Sequence, residues 1–307
     1  MVKTWRTFCP EVSDVFQNHD KKNLMYRFFL FLLSFFAVLL VFSCAPSAQA
    51  GREKNLVQGK VSPDIRVSVR MAALDYLGHL YVVDQRNRVI HFTPDKKEAA
   101  VYANTRSGQI TGIDVSNPFQ ILVFYDDFNS ATLLDNMLVP ILEINFESVS
   151  TDVSACGVSN DGHFWVFDPV RQRLVKTSRD GRILAETSNL ADVGMAGCQV
   201  STIREKGNVV VLCDPSRGFY FFDNLGQYQS HFPASDILSF TFDGRFVTYF
   251  TPTGLKRYSL AFKERTLLGY PIELNHPSLK YLFFDQKMFY AIYAEGIVLR
   301  QADSKQM

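Results

Sequence analysis

The 307 residues carry 32 Lys plus Arg against 31 Asp plus Glu, a formal net charge of +1. That balance excludes a chain built to neutralise nucleic-acid phosphates, and it excludes an acidic disordered tail. The 27 Phe and 13 Tyr suit pleated, half-buried surfaces and tilt the expectation toward β structure.

The chain opens on a targeting segment. Residues 28–42 form an apolar run interrupted only by Ser34. Its length fits the apolar region of a signal peptide and is short for a membrane span, which needs about 20 residues. Lys21, Lys22 and Arg27 supply the positive flank. Val41-Phe42-Ser43-Cys44 has the form of a lipobox, so residues 1–44 are read as a leader helix ending at a lipidated Cys44, and residues 45–54 as a linker. Ala48-Gln49-Ala50 also satisfies the small-x-small rule of ordinary signal peptidase. A secreted or periplasmic form starting after Ala50, and an uncleaved signal anchor, are the alternatives. The apolar run begins late, and Met25-Tyr26-Arg27 makes a more usual start. Residues 1–24 are therefore read as a start-site artefact, which a peptide from them in the native protein would disprove.

Beyond the leader the chain repeats. Asp75-Tyr76-Leu77-Gly78 leads into an apolar strand ending at Asp84, and a second strand follows at Arg88-Val89-Ile90-His91-Phe92. The same grammar recurs up to Asp126, up to Asp168 after Asn160-Asp161-Gly162, and up to Asp214 after Lys206-Gly207. The strand-ending Asp returns at intervals of 42, 42 and 46 residues. Two degenerate copies follow Asp243-Gly244 and Asp285-Gln286-Lys287, with Thr251 and Ala294 at the Asp position. Four short strands per unit of about forty residues describe a propeller blade. The predicted fold is thus an all-β, six-bladed β-propeller over residues 55–302, followed by a tail at 303–307. The sixth unit lacks an outermost strand, and residues 55–61 are expected to supply it, which would remove exposed sheet edges.

The blade pattern, Gly-x-apolar-Tyr-Val-x-Asp followed by a second apolar strand, resembles NHL and YWTD-type propellers. The stretch from Thr111-Gly112-Ile113-Asp114 through Asp126-Asp127-Phe128-Asn129 resembles uncharacterised Bacteroidota envelope lipoproteins that carry a predicted propeller. The resemblance implies a propeller and an envelope address, and it implies no activity.

Chemistry is sparse. No phosphate loop, nucleophile elbow or His-x-x-x-His pair is present, and the six His residues are scattered. Cys156, Cys198 and Cys213 lack metal-like spacing. Cys156 and Cys198 fall at matching places in adjacent repeats, which a disulfide or two small buried side chains would both satisfy. Innermost strands are expected near residues 67–72, 109–113, 154–158, 197–203, 237–242 and 278–283, none of which holds His, Asp or Glu. Channel catalysis and metal binding need such groups, so no catalytic residue, metal ligand or cofactor is assigned. The recurring Asp84, Asp126, Asp168 and Asp214 are read as hairpin caps. The tips beyond them carry Arg86, Asn87, Asp127, Phe128, Asn129, Arg171 and Arg217, which would share one face and offer it to an acidic patch or anion. The expected function is a non-catalytic envelope lipoprotein that binds a protein partner and reaches the membrane through its lipid. The alternative is an enzyme, or a small-ligand or glycan binder, working through the central channel, with Trp165 as an exposed aromatic.

Overall fold

A computed structural model describes residues 61–285 and 287–302. The expectations placed on residues 1–60, the Cys44 anchor included, and on the tail lie outside the described residues.

After a short strand β1 (Ile65–Arg66) come six blades. Blade one is β2 (Val69–Leu74), β3 (Leu80–Asp84), β4 (Arg88–Phe92) and β5 (Glu98–Ala103). Blade two is β6 (Gly112–Asn117), β7 (Gln120–Tyr125), β8 (Ser130–Leu134) and β9 (Pro140–Asn145). Blade three is β10 (Ala155–Val158), β11 (Phe164–Asp168), β12 (Arg173–Thr177) and β13 (Ile183–Glu186). Blade four is β14 (Thr202–Lys206), β15 (Val209–Asp214), β16 (Gly218–Asp223) and β17 (Tyr228–Pro233). Blade five is β18 (Ser239–Phe242), β19 (Phe246–Thr251), β20 (Gly254–Ser259) and β21 (Glu264–Leu268). Blade six holds β22 (Leu279–Phe284), β23 (Met288–Tyr293) and β24 (Gly296–Gln301), with β1 as its fourth strand.

Two-residue alternation builds the ring. Along β3, Leu80 and Val82 face blade six, while Tyr81 and Val83 face blade two. Along β11, Phe164 and Val166 join the core shared with blade two, and Trp165 and Phe167 join the core shared with blade four. Successive side chains of a strand point to opposite faces, so a strand with neighbours on both sides is apolar at every position. That is why these strands read as continuous apolar runs rather than alternating ones. Six buried clusters result, one at each blade junction.

The ring closes as expected in kind but not in place. Ile65 pairs with Ile297 and Arg66 with Gly296, so the exchange expected of residues 55–61 is made by residues further along. Ile65 is buried in the core between blades six and one. Just before it, the Asp64 carboxylate accepts from Leu299 N at 2.8 Å and pairs with Lys96 at 3.0 Å and Arg300 at 3.2 Å. A two-residue strand holds because Asp64 anchors its start and Ile65 is buried within it.

Three of the four recurring aspartates cap hairpins; Asp126 instead opens a short 3-10 turn (Asp126–Phe128), is exposed, and accepts from Asp127 N. Asp84 Oδ1 accepts from Arg86 N and Arg88 N, and Asp168 Oδ1 accepts from Val170 N and Arg171 N. Asp214 Oδ1 accepts from Ser216 N and Arg217 N. In blade five Thr251 takes over, its hydroxyl accepting from Thr253 N. Cys156, Cys198 and Cys213 are free thiols and all buried, so no bridge joins Cys156 to Cys198.

Candidate functional site

The first strand of each blade lines a central channel. The observed strands begin and end later than expected in blades two and four, and this corrects the reading of the channel. Asp114 lies within β6 and Glu205 within β14. Both carboxylates are engaged within the protein. Asp114 Oδ1 accepts from Ser116 N at 2.9 Å and Ser116 Oγ at 2.7 Å, and its Oδ2 accepts from Val158 N of blade three at 2.8 Å. Arg204 of blade four adds an ion pair to Asp114 at 3.3 Å and donates to Ile113 O at 2.7 Å. Glu205 accepts from the indole N–H of Trp165. Trp165 is fully buried, which removes it as a glycan-facing aromatic.

Arg204 thus ties blade four to blade two across blade three. Gly157 permits the crossing: a Cβ there would lie 2.7 Å from Ile203 O and 3.1 Å from Asp114 Oδ2.

The remaining space is a cavity of about 380 Å³ whose lining includes Thr202, Lys206, Thr241, Phe246, Arg257 and Phe284. Cys156 and Cys213 also line it. Burial pushes both thiols well up, so they stay protonated and unreactive. Among the described residues, no group of three or more His, Cys, Asp or Glu is placed to hold a metal.

The hairpin-tip residues singled out in the sequence divide into two sets. Asn87 (φ 61°) accepts from Ile110 N and Arg70 Nη2, and donates to Gly108 O. Asn129 (φ 43°) repeats this one blade on, accepting from Val153 N and donating to Thr151 O. Gln172, which sequence reasoning missed, accepts from Gly197 N in blade three. These side-chain amides hold the connection that leads into the next blade. Arg171 donates to Val149 O and pairs with Asp168 at 3.5 Å, and Arg217 donates to Ala196 O at 2.6 Å. Those guanidinium groups brace loops. Arg86, Asp127 and Phe128 remain exposed. The signal for the amide braces is Asn or Gln at the turn's left-handed position, which Asn tolerates better than most side chains; no local signal marks Arg171 and Arg217 off from Arg86.

The opposite sheet edges carry the turns between first and second strands and between third and fourth. Exposed there are Tyr76, Leu77, Phe119, Met137, Leu225 and Phe262, with Phe119 at 63%, Leu225 at 71% and Phe262 at 76% exposure. The tips between second and third strands expose Phe128 and Val170. On that same edge the connections between blades expose Leu238 and Ile272, so exposed apolar residues occur on both edges and are more numerous on the first.

The architecture is that of a six-bladed β-propeller. No protein-family model matches the chain, and no curated protein matches it. Among solved structures, it is similar to catalytically inactive virginiamycin B lyase of Staphylococcus aureus with quinupristin: 12% identity, TM-score 0.52, 80% of this chain and 97% of that one. It is similar to a streptogramin B lyase at 12% identity and TM-score 0.51, over 78% and 85% of the two chains. A Bacteroides caccae protein of unknown function is 14% identical, with TM-score 0.48 over 69% and 81%. At these identities the likeness is one of fold.

Proposed function

We propose that the chain is a non-catalytic protein of the cell envelope, anchored by lipid at Cys44, whose propeller docks a protein partner. The surface assigned to docking is the turn edge that bears Tyr76, Leu77, Phe119, Met137, Leu225 and Phe262. The observation that carries the reading is the larger number of exposed apolar side chains on the short, capped turns of this edge. Asp75, Asp135 and Asp223 each accept from two backbone N–H groups of their own turns. The tips are thereby held in shape, and rigid apolar anchors bind with little loss of conformational entropy. The apolar run at residues 28–42 and Cys44 support the envelope address.

The test is co-purification of the full-length chain from its native membranes. Phe119→Asp combined with Phe262→Asp removes the partner that the unaltered chain retains, whereas Arg86→Glu combined with Phe128→Asp keeps it. Loss only with the second pair moves docking to the opposite edge and overturns the assignment, as does retention with both. Cys44→Ala shifts the chain out of the membrane fraction; continued membrane retention contradicts the lipid anchor.

A further inference from the structure

Arg257 lies on the third strand of blade five, in register with Thr248 and, through it, with Thr241 of the first strand. Its Nε donates to Thr248 Oγ1 at 3.3 Å, and its guanidinium lies over the rings of Phe246 and Phe284, 5.4 and 5.8 Å from their centroids. The side chain is half-buried and lines the central cavity. Among the described residues no carboxylate comes within ion-pair distance of it. Burial pushes the guanidinium below its ordinary value, against the opposing pull of Asp243. A partly desolvated cation with no carboxylate in direct contact is costly, and a bound anion would offset that cost.

A second cation lines the same cavity. Lys206 Nζ lies 3.9 Å from the centroid of the Tyr76 ring. Lys206 belongs to blade four and Tyr76 to blade one, which stand opposite in the ring, so the contact crosses the channel mouth. Lys206 also has no carboxylate within ion-pair distance among the described residues. Asp75, Asp243 and Asp285 also line the cavity, and each has one oxygen held by backbone N–H groups of its own turn, while Asp75 Oδ2 is buried without a partner. Asp243 Oδ1 accepts from Arg245 N and Phe246 N, and Asp285 accepts from Lys287 N, Met288 N and the Tyr290 hydroxyl. Asp75 Oδ1 accepts from Leu77 N and His79 N. Each is pinned to its own turn. The neighbouring Arg204, by contrast, is matched by Asp114.

We propose that this cavity is a binding site for a small molecule with an oxyanion head group, a carboxylate or phosphate ester, on an apolar body. The Arg257 fork receives the head group in two parallel hydrogen bonds. Thr241 offers a hydroxyl beside it, and Lys206 closes over the entrance. Phe246 and Phe284 wall the apolar body. A volume of about 380 Å³ lies within the range of small-ligand clefts. The site shares Tyr76 with the docking edge, while Arg257, Thr241, Phe246 and Phe284 lie inside the cavity and apart from it.

The probes are phenyl phosphate and benzoate, with benzamide as the uncharged match, added to the full-length chain in detergent. Thermal unfolding rises saturably with at least one anion and not with benzamide, and the better anion identifies the head group. Arg257→Gln weakens binding about tenfold or more, Lys206→Gln weakens it less, and Arg245→Gln, an exposed residue of the adjoining turn, leaves it unchanged. If Arg257→Gln does not melt cooperatively, Lys206→Gln and Arg257→Lys are read instead, and both must weaken binding. Absence of a saturable shift with either anion overturns the site. So does an equal shift in the Arg257 or Lys206 variants, or an equal shift with benzamide.

Discussion

Asn87 shows how one side chain joins two blades. Its left-handed φ of 61° aims the amide at the chain entering blade two, where it meets Ile110 N at 2.9 Å and Gly108 O at 2.8 Å. Ile110 is fully buried, so its N–H has no recourse to water. Asn87→Ala leaves that donor unsatisfied and places a less tolerant residue at positive φ. The expected loss is about 2–3 kcal/mol by urea denaturation. Asn87→Gly removes the same bonds but relieves the dihedral, so its loss is smaller by about 1 kcal/mol. Variants as stable as the parent would show that the amide does not join the blades. His91 offers a different test. It is buried, shares a 2.7 Å hydrogen bond with His79, and stacks on Tyr81 at 4.6 Å. Burial, helped by His79, lowers its pKa from 6.5. On acidification the unfolded chain therefore takes up this proton before the folded one does. Stability contributed by neutral His91 is present above pH 6.5 and declines as the pH falls below it. Denaturation midpoints measured from pH 7.5 to 5.5 should fall, and His91→Phe should flatten that fall; an unchanged slope would remove His91 as its source.

At the scale of elements, the sequence exposed the blade count because aspartate caps and apolar runs are local signals. Asp84, Asp168 and Asp214 cap their turns through bonds to residues two to four positions away, and such spacing is written in the sequence. Strand ends were less legible. Arg204-Glu205-Lys206 before Gly207 has the composition of a charged turn, yet these residues continue β14. Glu205 is inside because Trp165, forty positions away, needs an acceptor for its indole N–H, and nothing local announces that need. Asp114 was displaced from its strand for the same reason: Arg204 and Val158 N, its partners, arrive from blades four and three. The closing strand was anticipated but put too early, because two residues are too few to show a period. Its fit is tight, since a Cβ on Gly296 would lie 2.4 Å from Ile65 O and 2.5 Å from Pro63 Cβ. Gly296→Ala should push β1 off blade six, lowering stability by about 1–3 kcal/mol and speeding protease cleavage around residues 61–66. Cleavage and stability equal to the parent's would show that this edge is not what closes the ring.

The whole ring is uneven. The crossing by Arg204 links blades two, three and four at the axis, whereas Arg257 and Lys206 line the same central cavity with no ion-paired carboxylate among the described residues. Six apolar cores of similar construction surround this axis, so the disc acts as a rigid frame and the turns vary without disturbing it. One blade edge exposes the greater number of apolar turn residues, while the tips on the other, which expose Phe128 and Val170, use Asn87, Asn129, Arg171 and Arg217 to hold the frame itself. The most direct test puts a photo-crosslinking residue at Phe119, at Phe262 or at Phe128 of the full-length chain and irradiates intact cells. Docking through the apolar turn edge requires that Phe119 and Phe262 capture the same protein and that Phe128 does not. Capture at Phe128 alone, or at none of the three, would contradict it.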